Sequence, residues 1–176
     1  MLRNRRTLED EARKLLRSSR VIGPPVPVED IAQALGIDVR VSPSKEDPSD
    51  ALTGDGDSVM AINSAQHENR RRFTIAHEIG HFVLHTGIQG QFDESFRVNC
   101  RDTVPSETTN VGEIEANHFA AALLMPEDFL RRDFLQSKSR DNTLDKTINS
   151  LAERYEVSTR TMELRLVNLG VISPVD

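Results

Sequence analysis

The sequence predicts an α+β fold in which helices dominate, with a small β-sheet near the N-terminus and a helix pair at the C-terminus. Apolar residues recur at helical spacing through most of the 176 residues, and strand-like alternation is confined to residues 37–62. A chain of this length with 37% hydrophobic residues suits one main core. We therefore expect a main domain over residues 1–136. A helical extension of helix-turn-helix type, residues 137–176, is expected to pack on it.

The first two helices are predicted from apolar spacing and from residues that suit helix ends. Residues 7–20 carry apolar side chains on one helical face, and Thr7 is placed to cap this helix. A shorter helix is expected from Pro27, and Gly36 is placed to end it.

The predicted sheet comes from short segments that follow the second helix. Apolar and polar residues alternate over residues 37–41, which is typical of a strand. A weak strand at 51–53 and a stronger one at 58–62 flank residues 54–57, Gly-Asp-Gly-Asp, which suit a hairpin turn. We therefore expect a small antiparallel or mixed sheet.

The remaining elements are all predicted helices. They span about 69–86, 112–124, 126–135, 144–155 and 159–169. Between the first two lie about 25 polar residues, 87–111, which is longer than most loops in compact domains. Long loops often carry binding segments, so we expect this one to border a functional cleft.

Composition limits the classes of function. The longest apolar run, residues 119–125, is too short to cross a bilayer, and no apolar segment follows the basic N-terminus as in a secretory signal. The single cysteine, Cys100, cannot form an internal disulfide, so we expect a cytoplasmic protein without membrane association. The net charge of −6 argues against bulk binding to nucleic acid. Residues 143–176 hold four basic and five acidic side chains, a net charge of −1, which also argues against direct DNA contact by the helix pair.

The most specific motif is His77-Glu78-Ile79-Gly80-His81. On a helix, His77 and His81 lie one turn apart on the same face, so both imidazoles can reach one metal ion. Glu78 is rotated by about 100° and can instead hold the attacking water. Catalytic zinc normally takes three protein ligands and one water, so the sequence must supply a third ligand.

Three residues compete to be that third ligand. His85 lies one further turn along the same helix, which is too far along the axis to share the ion comfortably, and a polar supporting role suits it better. On the next helix Glu113 falls on one stripe with Asn117, which could orient a neighbouring ligand. Glu115 is the alternative carboxylate, and it would otherwise be a solvent-facing charge. The stripe argument favours Glu113.

Two segments together resemble the ImmA/IrrE family of metallopeptidases. They are residues 71–85, RRFTIAHEIGHFVLH, and residues 113–126, EIEANHFAAALLMP. Residues 27–37 are similar to the family's N-terminal helix–strand entry, and residues 151–158 to part of its tail. The resemblance covers most of residues 25–171, and its two central motifs in this order are specific.

The resemblance implies a helix-dominated zinc endopeptidase domain. In that family the first Glu of the Glu-x-Glu-Ala-Asn pattern is the zinc ligand, which maps onto Glu113. With His77 and His81 this completes the ligand set, and Glu78 is expected to accept the proton of the attacking water. The expected cofactor is Zn²⁺, with Mn²⁺ as the alternative metal.

The family also implies a partner, which nothing in composition or spacing indicates. The expected substrate is a protein, a Xre-type helix-turn-helix repressor, whose cleavage would derepress stress-response or mobile-element genes. The competing interpretation is a non-catalytic regulatory protein that docks a repressor or DNA, and a toxin–antitoxin component is a third. Glu78 favours the enzyme, because a purely structural metal site would not require it. By residue type alone, His67, His118 and Tyr155 are candidates for stabilising the oxyanion.

Overall fold

The computed structural model describes residues 3–42, 58–85, 107–138 and 143–173, and these form seven helices and two strands. The elements are α1 (Arg5–Ser18), α2 (Val28–Ala34), β1 (Ile37–Ser42), β2 (Ser58–Asn63), α3 (Glu68–His85), α4 (Glu107–Leu124), α5 (Glu127–Lys138), α6 (Leu144–Tyr155) and α7 (Thr159–Asn168). The predicted helix-dominated α+β class is confirmed. Cys100 and most of the long polar segment lie outside the described residues.

The first helix begins two residues earlier than predicted because a different residue caps it. The side chain of Asn4 accepts a hydrogen bond from the backbone N–H of Thr7 at 2.9 Å. Asparagine is among the best N-cap residues, since its oxygen satisfies a backbone donor that has no partner within the helix. The prediction of Thr7 as the cap is therefore wrong, and Thr7 is the residue that the cap serves.

The two strands form a parallel pair. Their register runs from Ile37 opposite Ser58 to Ser42 opposite Asn63. Of the two predicted alternatives, only a mixed sheet contains a parallel pair. The predicted strand at 51–53 and the turn at 54–57 lie outside the described residues.

Helices α3 and α4 form the centre of the fold and approach each other closely. A Cβ atom on Gly80 would lie 3.2 Å from the Cα and carbonyl oxygen of Ala116 and 3.2 Å from the ring of Phe119. The glycine therefore allows backbone-to-backbone contact between the helices. Helix α4 begins at Glu107 rather than at the predicted residue 112. The prediction misses these residues because the first turn is polar and carries no apolar periodicity.

Helices α6 and α7 are joined at Glu156, which adopts a left-handed conformation with φ 53°. Buried polar contacts attach this pair to the rest of the molecule. Arg165 donates to the carbonyl of Met125 at 3.1 Å and forms a two-point ion pair with Glu9 at 2.5 and 2.8 Å. Arg72 on α3 lies 3.2 Å from the carboxylate of Glu156. The division at residue 136 stays a prediction.

None of the helices in the described part of the chain is both long enough and apolar enough to span a membrane.

Candidate metal centre

Helix α3 presents two imidazoles side by side. His77 and His81 are one turn apart, and their Nε2 atoms are 3.0 Å from each other. The two rings meet edge to face, with their centroids 4.7 Å apart. Ile75, Ala76 and Ile79 on the same helix are buried in the core, which orients the histidine face towards α4.

Helix α4 adds one carboxylate to this pair. Glu113 Oε2 lies 3.3 Å from His77 Nε2, and Glu113 Oε1 lies 3.2 Å from His81 Nε2. The close approach at Gly80 brings the carboxylate within reach of both rings. Among the described residues, His77, His81 and Glu113 form the one group of three side chains whose donor atoms could hold a metal ion.

The three side chains fit a zinc ion in chemistry and in spacing. Two imidazoles and one carboxylate are a known ligand set of catalytic zinc sites. Ligands about 2.0–2.1 Å from a tetrahedral zinc ion stand about 3.3 Å from each other. The separations of 3.0, 3.2 and 3.3 Å between the donor atoms agree with that spacing.

Asn117 orients one of the histidines. Its Oδ1 lies 3.1 Å from His77 Nδ1, so that nitrogen carries the hydrogen and donates it to the amide. The lone pair of the His77 ring is then on Nε2, which faces Glu113. This contact is the one that the spacing of Glu113 and Asn117 suggests in the sequence.

Burial and neighbouring charges set the protonation of the group. Burial, helped by the nearby His77, lowers the pKa of His81 to about 4, although Glu113 opposes the shift. His81 is therefore neutral at pH 7, which is the form that binds a metal. Burial, together with the Glu113 carboxylate, raises the pKa of Glu78 to about 7. The Glu78 side chain is half-buried, and its charge interacts with that of Glu113.

The other two candidate ligands do not join this group. Glu115 is buried, with 2% of its side chain exposed, and its carboxylate pairs with Arg3 at 2.6 Å. The expectation of a solvent-facing charge at Glu115 is therefore wrong. The His85 ring centroid lies 5.6 Å from that of His81, and His85 Nε2 is 4.0 Å from the Glu115 carboxylate. Arg3 precedes every predicted helix, so no periodicity in the sequence indicates this contact.

The three candidate oxyanion donors also lie outside the group. Tyr155 is fully buried and donates its hydroxyl to Asp133 at 2.9 Å. His67 accepts a hydrogen bond from the backbone of Asn69 at 3.3 Å. Burial, followed by the charges of arginines on α1 and α7, lowers the pKa of His118, and the three donor side chains are not among the causes of this shift. Selection by residue type alone does not identify an oxyanion donor here.

Comparison with known proteins supplies independent information. Residues 32–167 match the family profile described as the IrrE N-terminal-like domain of peptidases. Over 102 residues the chain is 35% identical to the "Radiation response metalloprotease IrrE" of Deinococcus radiodurans, which covers 57% of this chain and 28% of that protein. A solved structure described as a Mycobacterium tuberculosis transcriptional regulator superposes on 92% of this chain and 46% of its own. Its TM-score is 0.61 at 21% identity, so this likeness concerns the fold alone.

Proposed function

The chain belongs to the ImmA/IrrE family of metallopeptidases, and from that premise we propose that it is a zinc-dependent endopeptidase with a protein substrate. One observation carries the proposal. Two imidazoles and a carboxylate converge with donor atoms 3.0–3.3 Å apart, and Glu78 follows the first of these imidazoles on α3. The aligned part of the chain covers 28% of the length of the curated relative, so the proposed activity rests on the side chains of this chain.

We assign His77, His81 and Glu113 as the metal ligands. When bound, zinc polarises the scissile carbonyl and makes water a stronger nucleophile at neutral pH. The neutral ring of His81 and the Asn117-oriented ring of His77 offer lone pairs rather than N–H groups to the ion. Manganese is the alternative metal for the same ligands.

Glu78 is the general base in this proposal. It follows His77 on α3 and is rotated by about 100° from it, so it lies beside the triad rather than in it. Its carboxylate takes the proton of the attacking water and passes it to the amine that leaves. A site that used the metal only for structure would have no need of this carboxylate.

We further propose that the substrate is a Xre-type helix-turn-helix repressor, cleaved in the cytoplasm to release stress-response or mobile-element genes. The family supports this choice, and the relative's printed name, a radiation response metalloprotease, agrees with a stress role. The competing role is a non-catalytic protein that docks a repressor or DNA.

The charges on α6 and α7 argue against docking to DNA. Their three arginines each contact a carboxylate, in the pairs Arg154–Asp133 at 3.3 Å, Arg160–Glu163 at 2.9 Å and Arg165–Glu9 at 2.5 Å. An arginine that already faces a carboxylate has less to gain from a phosphate. We therefore assign the helix pair a packing role rather than a DNA-reading one.

The test is cleavage of the repressor encoded next to the gene, with the purified chain loaded with zinc. Glu78→Gln is expected to keep about one zinc per chain and to lose at least 100-fold in cleavage rate, because it keeps the shape but cannot accept the proton. Glu68→Gln is the matched control, since Glu68 lies in the first turn of the same helix. It should cleave at the wild-type rate.

A chelator should abolish cleavage, and added zinc should restore it. Parallel restoration with manganese identifies which metal supports the faster reaction. Cleavage by Glu78→Gln at the wild-type rate would contradict the assignment of Glu78 as the general base. Zinc-bound wild-type protein that binds the repressor without cutting it would favour the docking role.

A further inference from the structure

Arg3, which precedes α1 in the chain, contacts both helices of the candidate metal centre. The backbone N–H of Arg3 donates to Glu115 Oε1 at 2.5 Å, and its Nη1 donates to Glu115 Oε2 at 2.6 Å. The other guanidinium nitrogen, Nη2, donates to the carbonyl of Leu84 at 2.6 Å. Arg3 therefore bridges the last turn of α3 and the middle of α4.

Each end of this bridge supplies a partner that the helices need. Glu115 is 2% exposed, and a buried carboxylate without partners is strongly unfavourable. The Leu84 carbonyl belongs to the last four of α3, which have no N–H partner within the helix. The planar guanidinium can serve both at once because its donors point in fixed, divergent directions.

The bridge lies next to the metal donors in both helices. Leu84 is three residues, nearly one turn, beyond His81, and Glu115 is two residues beyond Glu113. The last turn of a helix frays most easily, and here it contains His85, whose buried Nε2 has no hydrogen-bond partner among the described residues. Arg3 thus stabilises the last turn of α3, which has fewer hydrogen bonds of its own than the rest of the helix.

We propose that Arg3 and Glu115 are positioning residues for the metal centre: their ion pair sets the distance between His81 on α3 and Glu113 on α4. This inference rests on the proposed zinc site. The pair also keeps Glu115 occupied, so that Glu113 is the carboxylate that remains available to the ion. Neither Arg3 nor Glu115 belongs to the group of three donor side chains.

The test measures zinc affinity by competition with a chromophoric chelator in the full chain. Arg3→Met is expected to weaken zinc binding about tenfold, as is usual when a residue that orients a ligand is lost. Coulomb's law alone predicts the opposite sign, because removing a nearby positive charge should favour a cation. Arg3→Lys keeps the charge and loses the fork, so we expect it to weaken binding less than Arg3→Met but measurably.

Arg6→Met is the matched control, since Arg6 is exposed in the first turn of α1 and its loss removes the same charge. It should bind zinc as the wild type does. Zinc affinities of Arg3→Met and Arg3→Lys within twofold of wild type would overturn the inference while leaving the proposed function intact. If Arg3→Met is unfolded without metal, the Arg3→Lys affinity decides. A wild-type chain that binds no zinc would overturn the proposed function and this inference with it.

Discussion

The two ring nitrogens of His77 face different partners, so one nitrogen can donate a hydrogen bond while the other remains available to a metal ion. Nδ1 lies against the Asn117 amide at 3.1 Å, and Nε2 lies 3.3 Å from the Glu113 carboxylate. The amide fixes the tautomer, and the carboxylate completes the donor set. Glu113 and Asn117 therefore act on the same histidine in different ways, and their loss should have different consequences.

We predict that Glu113→Gln lowers zinc affinity at least 100-fold, because a neutral amide replaces a charged ligand. Asn117→Ala should lower it only about tenfold, since it removes the orientation of His77 and no ligand. Isothermal titration of the metal-free proteins with zinc measures both. Equal losses in the two variants would contradict the separate roles.

At the residue scale, the sequence indicates contacts that are local and misses those that depend on packing. The contact between His77 and His81 follows from helical spacing, and the placing of Glu113 and Asn117 on one stripe follows from the same argument on the next helix. The contact of Arg3 with Glu115 joins residues 112 apart and depends on how α1 and α4 pack. No spacing rule contains that information, so Glu115 is taken for a surface charge.

At the scale of elements, backbone atoms limit how closely α3 and α4 approach each other at Gly80. Gly80 faces the Cα and carbonyl of Ala116, so no flexible side chain separates the helices at this point. Because the two helices carry different members of the candidate donor group, any change in their separation changes the spacing of the donor atoms. Gly80 is therefore expected to affect the candidate metal centre without belonging to it.

Gly80→Ala is predicted to destabilise the protein although alanine favours a helix by about 1 kcal/mol over glycine. The new methyl would lie 3.2 Å from backbone atoms, which yield only if α4 moves as a whole. Overpacking of this kind costs about 1–3 kcal/mol, and we expect the upper end and a net loss of roughly 2 kcal/mol. Urea denaturation measures the change in the free energy of unfolding.

Gly112→Ala on α4 is the control for helix propensity. The methyl group would lie 3.7 Å from His85 Nε2, an ordinary contact, so this variant should be neutral or up to about 1 kcal/mol more stable. A Gly80→Ala variant as stable as Gly112→Ala would show that the helices can separate at little cost.

Apolar periodicity predicts the positions of the helices. It predicts the ends of the helices and the pairing of the strands less accurately. The predicted segments agree with α1 to α7 in order, since each buries an apolar stripe. The cap at Asn4 and the start of α4 at Glu107 are missed because polar residues carry no period. The parallel pairing of β1 with β2 depends on the route of the chain between them, which alternation alone does not specify.

At the scale of the whole molecule, buried arginines connect elements that are distant in sequence. Arg72 contacts the Val26 carbonyl at 2.8 Å and the Glu156 carboxylate at 3.2 Å. Arg165 joins α7 to Glu9 of α1 and to the end of α4. Both guanidinium groups are largely out of water, so the folded state depends on the partners that balance their charges.

Arg165→Met should lower the free energy of unfolding by roughly 3 kcal/mol, because it leaves Glu9 without its partner in a mostly buried position. Arg160→Met, on the same helix, breaks an exposed pair with Glu163 and should cost less than about 0.5 kcal/mol. Thermal unfolding followed by circular dichroism compares the two. Similar costs would mean that the buried pair contributes no more than a surface one.

The pair between Glu9 and Arg165 has a consequence for synthesis on the ribosome. Its members are 156 residues apart, so Glu9 leaves the ribosome long before Arg165 does. Helix α1 precedes the other described helices in the chain, yet it cannot gain this anchor until α7 has left the exit tunnel. Helix α1 therefore gains its ion pair with α7 late in synthesis, and a nascent chain truncated before residue 165 lacks that contact.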